Sequence, residues 1–149
     1  MGLRFAAGGR EDPARVGHHG RVPGIYDEPE FYAAACAYRD VPVEVDALLR
    51  WSGKYREPAS APVRSVLELA AGPAEHAREL ARRGLTATAL DLSPAMCAWA
   101  GDMAARDGVG LTVVQADMRD FRIAGSFGLA ITMLNSLCHL FTLDDMIQH

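Results

Sequence analysis

The sequence predicts an α/β fold built on a parallel sheet. Three observations carry that prediction. Strand-like runs alternate with helical segments of 10–15 residues from Val63 onward. A turn of small residues, L-A-A-G-P-A, follows the first strand. Acidic residues stand at the ends of the first three strands.

The 149 residues suit one globular domain, with half of them apolar and 23% charged. Residues 1–24 hold six of the 14 glycines and the pair His18-His19, with no helical or strand period, and read as a flexible arm. Residues 25–62 read as a helical lead-in. Pro29 suits a first helical turn, and Asp40 with Pro42 marks the start of a second helix whose inner face is Val45, Leu48, Leu49 and Ser52. E-P-A-S-A-P, 57–62, is a linker.

Residues 63–149 read as the core. V-R-S-V-L-E-L is the first strand. The next helix buries Ala74, Ala77, Leu80 and Ala81, exposes Glu75, Arg78, Glu79 and Arg82, and ends at Gly84. L-T-A-T-A-L-D is the second strand. Ser93 caps a helix that begins at Pro94, buries Met96, Ala100, Met103 and Ala104, and ends at Gly108. L-T-V-V-Q and F-G-L-A-I-T-M are strands three and four. Right-handed crossovers give the order 3-2-1-4 with helices on both faces. Thr142 and Asp145 form a capping-box pattern for a last helix. The core reads as C-terminally incomplete, and strand four leaves an open edge through which a homodimer can form.

Several functions are disfavoured. A net charge of −4, with 14 scattered Arg and one Lys, offers no stripe for a nucleic-acid backbone. Cys36, Cys97 and Cys138 lack metal spacing, so no metal site is expected. There is neither a membrane-length apolar run nor a secretory apolar core, which points to the cytoplasm. A dinucleotide fingerprint needs Gly at 70, 72 and 75, where the chain has Ala70, Gly72 and Glu75. An NAD-dependent reading is disfavoured, and without G-K-[ST] a Walker A loop is excluded.

Each candidate site residue has a bland reading beside the functional one. Glu68, at the end of strand one, needs partners if buried: a ligand's ammonium or hydroxyls, or an Arg or backbone N–H. Asp91 ends strand two and can accept from ribose hydroxyls or serve the next helix as a cap. Asp117 follows strand three and can accept from an adenine amino group or shape a turn; Met118 adds a backbone N–H and an apolar contact.

In order, V-L-E-L-A-A-G-P-A-E-H (66–76), L-D-L-S-P-A-M (90–96), Q-A-D-M-R-D-F (115–121) and F-G-L-A-I-T-M-L-N-S-L-C-H-L (127–140) resemble the motifs of class I S-adenosylmethionine-dependent methyltransferases, of the bacterial small-molecule type. The likeness runs from Tyr26 to Met146. It implies a Rossmann-like core, S-adenosylmethionine as cofactor, and methyl transfer to a small-molecule acceptor. A truncated cofactor-binding fragment, completed by a partner or an exchanged dimer, is the alternative. By position, the resemblance places Glu68, Ala70 and Gly72 at the methionine part and Asp91, Leu92 and Met96 at the adenosine. Asp117 and Met118 fall at the adenine, and Met133, Leu134 and Asn135 near the sulfonium and acceptor. Tyr26, Tyr38 and Arg39 would close over the cofactor. The catalytic residue is not assigned; His139 is a candidate base on the acceptor side, or a helix-start hydrogen bonder. Ala70 departs from the family's Gly, and a left-handed backbone there costs about 1–2 kcal/mol.

Overall fold

A computed structural model describes residues 24–57 and 61–149. The expected arm, apart from Gly24, lies outside the described residues, as do His18, His19 and positions 58–60 of the linker.

The described residues open with a 3-10 turn, Ile25–Asp27, then α1 (Pro29–Cys36) and α2 (Val41–Tyr55). Asp40 caps α2 by accepting from the Val43 N–H at 3.1 Å. The remainder alternates: β1 (Ser65–Leu69), α3 (Glu75–Arg82), β2 (Thr86–Asp91), α4 (Pro94–Asp107), β3 (Leu111–Gln115) and β4 (Leu129–Thr132). A 3-10 turn, Ser136–His139, and α5 (Leu143–Gln148) follow. All three strand pairings are parallel and the order is β3-β2-β1-β4, as the crossovers require. This puts β1 and β4 side by side at the point where the chain's direction of winding reverses, the usual ligand crevice of such sheets.

Each sheet face has its own core. On one, Val66, Ala87, Ala89 and Ile131 meet Val45 of α2, Ala77 and Leu80 of α3 and Ala100 of α4. On the other, Leu67, Leu69 and Leu90 meet Met118 and Leu140, with Phe121, Ile123 and Phe127 at the margin. β1 is covered on both faces, which is why V-L-E-L is buried throughout and Glu68 is its one polar residue. Fully burying side chains such as Leu80 and Leu90 contributes about 1.5–3 kcal/mol each.

The ends of the helices follow local chemistry. Ser93 caps α4 by accepting from the Met96 N–H, and Gly108 closes it in the left-handed region at φ 67°. Thr142 and Asp145 form the expected reciprocal box at the head of α5. β4 is shorter than its sequence run: Leu134 and Asn135 take left-handed backbone and turn the chain into the 3-10 turn.

Candidate functional site

The loop after β1 is built from alternating left-handed residues. Ala70, Gly72 and Ala74 have φ of 48°, 53° and 55°. The first of these is the position where the resemblance expects glycine, and it does adopt the strained conformation. The loop is pinned by its neighbours: the Ala71 N–H donates to the Leu90 carbonyl at 2.9 Å, and the Gly72 N–H to Asp91 Oδ2 at 2.7 Å. At Gly72 the left-handed backbone, rather than space, favours glycine, since an added Cβ would stand 3.7 Å from the Tyr32 ring, an ordinary contact distance.

Asp91 combines two tasks. Oδ2 holds Gly72, while Oδ1 accepts from the Ser93 N–H at 2.8 Å. Both the loop-holding and the helix-entry roles are therefore real, and each oxygen keeps a lone pair for a further donor. Leu92 beside it is 64% exposed, whereas Met96 is fully buried and sits in the core.

Glu68 is 2% exposed. Its Oε2 accepts from the Ala77 N–H at 2.8 Å, and its Oε1 lies 3.4 Å from His76 Nδ1. His76, also 2% exposed, contacts Glu44 Oε2 through Nε2 at 2.7 Å. Arg39 closes the chain with a two-pronged bond to Glu44 and approaches His76 Nε2 at 3.2 Å. Glu68, His76, Glu44 and Arg39 thus form a chain from the sheet to the lead-in, which alternates in sign when His76 is protonated. Burial on its own lowers the His76 pKa; Glu68 and Glu44 outweigh it and raise it above the usual imidazole value. Burial likewise opposes ionisation of Glu44, but bonds from His76 and Arg39 hold its carboxyl below the usual range.

Glu68, His76 and Arg39 border a cavity of about 30 Å³, together with Glu75, Ala70, Ala71, Met133, Leu134, Ser136 and Tyr32. Burial, then the neighbouring Cys36 and Tyr26, push the Tyr32 phenol up to about 12. It remains a neutral donor at working pH.

Tyr26 lies against Tyr32, with ring centroids 5.7 Å apart. Its carbonyl accepts from the Ser93 hydroxyl at 2.8 Å, and its own hydroxyl lies 3.1 Å from His139 Nε2. It thereby links the head of α4 to the turn after β4. Of the other lead-in candidates, Arg39 reaches the cavity while Tyr38, 81% exposed, points away from it. Asn135 is exposed and left-handed.

Asp117 stands apart from the cavity. Its carboxylate accepts from the Arg119 side chain and N–H, which hold its pKa low. Arg119 in turn reaches Asp145 of α5 at 3.0 Å, and His149 Nδ1 lies 3.0 Å from the Met118 carbonyl. The expected residues accordingly form two neighbouring groups, Glu68, Ala70, Met133 and Leu134 around the cavity and Asp91, Leu92, Asp117 and Met118 along the strand ends. The Asp91–Gly72 bond joins them.

Tyr32, Glu44, His76 and Ser136 were not expected at the site. His76 had a signal: it lies four residues before Leu80, on the inward face of α3. Glu44 and Tyr32 depend on how the lead-in packs, which no local pattern encodes.

Solved structures share this fold. Similar to the chain are the sugar N-methyltransferase KedS8 from Streptoalloteichus sp (24% identity, 97% of this chain and 52% of that chain, TM-score 0.67) and DesVI of Streptomyces venezuelae (25%, 87% and 50%, TM-score 0.66). A third is the glycopeptide N-methyltransferase MtfA complexed with S-adenosyl-L-methionine (28%, 74% and 47%, TM-score 0.55). The chain spans about half the length of these structures. Among curated proteins no match to the chain is found. The family model of a methyltransferase domain matches residues 66–149, from the first site carboxylate's strand through α5. Covering more than half of the sequence, and agreeing with the strand order and the loop after β1, that match shows that the chain belongs to the methyltransferase-domain family.

Proposed function

We propose that the chain binds S-adenosylmethionine along the ends of β1, β2 and β3 and takes part in methyl transfer to a small-molecule acceptor. The observation that carries this reading is the loop after β1, held open and left-handed by Asp91. The residues present fit the cofactor at two ends. Glu68 offers a buried carboxylate bordering the cavity for an ammonium group. Asp91 retains acceptor capacity for ribose hydroxyls beside the exposed Leu92. Asp117 serves the adenine edge only by sharing its carboxylate with Arg119. Met96 is fully buried at the head of α4, so it reaches a bound cofactor only through the packing of that helix end.

When bound, the cofactor supplies a methyl group activated on a sulfonium. The protein's task is to align the acceptor and exclude water. Met133, Leu134 and Asn135 border the reacting side at the end of β4. His139, fixed by Tyr26, can take a proton from an acceptor there. A cavity of about 30 Å³ holds roughly one water, so Tyr32 and Arg39 must swing outward on binding. MtfA, at 28% identity, is named an N-methyltransferase, which makes an amine the first acceptor to assay.

A second reading is cofactor binding without turnover by this chain alone, a partner or second copy completing it. It is favoured by β4, which stands at the sheet edge among the described residues, and by the exposed Phe141, Leu143 and Ile147 that follow it in sequence. Calorimetry with S-adenosylhomocysteine tests both. Micromolar binding is expected, and absence of heat with folded protein rejects the cofactor. Binding with no product from any amine, at any protein concentration, favours the second reading.

A further inference from the structure

Buried charges come as pairs or not at all, because an isolated one is costly to desolvate. Among the described residues Glu68 has no Arg or Lys in an ion pair with it; the group that can carry a positive charge beside it is His76, whose Nδ1 lies 3.4 Å from Oε1. The other ring nitrogen contacts Glu44, and Arg39 neutralises Glu44 in turn. When both ring nitrogens carry protons the imidazolium points one N–H at each carboxylate; a neutral ring gives up one of the two. The groups facing His76 are Arg39 from the α1–α2 connection, Glu44 from α2, Glu68 from β1 and, on its own helix, Glu75; Tyr32 and Cys36 of α1 border the same cavity.

Glu68 also borders, with Glu75, the cavity where the reading above puts the cofactor's amino-acid end, and of the two it is the buried one. Two cations then compete for one buried carboxylate, the ligand's ammonium and the proton on His76. Like charges brought together in a place shielded from water repel strongly, so one of them weakens its hold. An ammonium cannot shed its proton to the ring without losing its own bond to Glu68. The ring can release its proton to solvent through the cavity mouth.

We propose that His76 is a positioning residue that serves as a removable counter-ion for Glu68, so that a ligand whose ammonium reaches Glu68 binds with release of the imidazole proton to solvent. Arg39 and Glu44 hold the ring in place and link its charge to the lead-in, which must itself move for the ligand to enter. The proposal rests on the cofactor reading above, since it requires an amino-acid end at Glu68.

The test is calorimetry of S-adenosylhomocysteine binding at pH 6.5, repeated in buffers of different ionisation enthalpy. At this pH the ligand's amine is fully charged and does not itself exchange protons. Wild-type protein is expected to release a fraction of a proton per ligand. His76→Gln is expected to bind within about tenfold of wild type, and with heats independent of buffer. Imidazole NMR supplies a readout free of ligand. His76, assigned by the signal missing in His76→Gln, should titrate at lower pH in Glu44→Gln than in wild type. The ligand should lower it in wild type as well. Binding with buffer-independent heat in wild type overturns the linkage and leaves the cofactor reading standing. A His76 midpoint unmoved by Glu44→Gln overturns the counter-ion chain whether or not ligand binds. Absence of any ligand heat from folded wild-type protein overturns the cofactor reading and the linkage together, a result distinct from the other two.

Discussion

Ala70 carries a backbone conformation that its methyl group resists, at φ 48°. Replacing it with Gly relieves roughly 1 kcal/mol of strain and returns roughly 0.4–1 kcal/mol through the freer unfolded chain. Ala70→Gly is therefore expected to keep a urea midpoint at or slightly above wild type. Ala70→Val, branched where even one methyl is strained, is expected to lose roughly 1–3 kcal/mol; a Val variant as stable as wild type would show that the loop relaxes out of the left-handed region. Asp91 gives a second test at this scale. Asp91→Ala leaves the Gly72 and Ser93 N–H groups without their acceptor. An unmet buried donor costs about 1–3 kcal/mol, so equilibrium unfolding should show a loss of that size. The loss should appear without any ligand present, which separates Asp91's part in holding the loop from its proposed part in binding.

Elements were legible where one local rule governed them. Asp40, Ser93 and Thr142 each accept the N–H that the sequence assigns to them, and Gly108 closes α4 in left-handed backbone. Ser93 does more than cap: its hydroxyl accepts from Met96 and donates to the Tyr26 carbonyl. Ser93→Ala is expected to lower stability by about 1 kcal/mol with an unchanged denaturant slope. A change in slope would instead mean that the lead-in has come loose. The acids at the strand ends were legible as a set because strand order follows from handed crossovers. Their hydrogen bonds were not, since Asp117 is shared between its own turn and a distant helix through Arg119. The His76–Glu44–Arg39 chain was illegible for a similar reason: it joins residues 32 and 37 positions apart, through packing that no short window of sequence contains.

At the scale of the whole molecule, the same chain makes stability depend on pH from both sides. His76 has a raised folded pKa, so its contribution is complete below the ordinary imidazole value of 6.5 and fades as pH rises through the raised one. Glu44 has a lowered folded pKa, so its contribution is complete above its ordinary 4.5 and fades as pH falls through the lowered one. Glu79, Asp107 and Asp117, each held low by arginines, add to the loss on the acid side. Urea midpoints should form a plateau between about pH 4.5 and 6.5, falling on both sides. In His76→Gln the alkaline fall should flatten while the acid fall persists. An unchanged alkaline limb in that variant would assign the loss to other groups.

The non-glycine residues with left-handed backbone among the described residues are Ala70, Ala74, Leu134 and Asn135. They cluster at the ends of β1 and β4, around one crevice, while the helices and the sheet interior are relaxed. Selection for heat tolerance would meet an uneven landscape here. Changes on the outer faces of α2 and α4 can add stability without reaching the crevice. Changes that relax the crevice itself would trade its shape for rigidity elsewhere, the usual conflict between durability and activity. A thermostable variant of this chain is best sought far from the residues that are least comfortable in it.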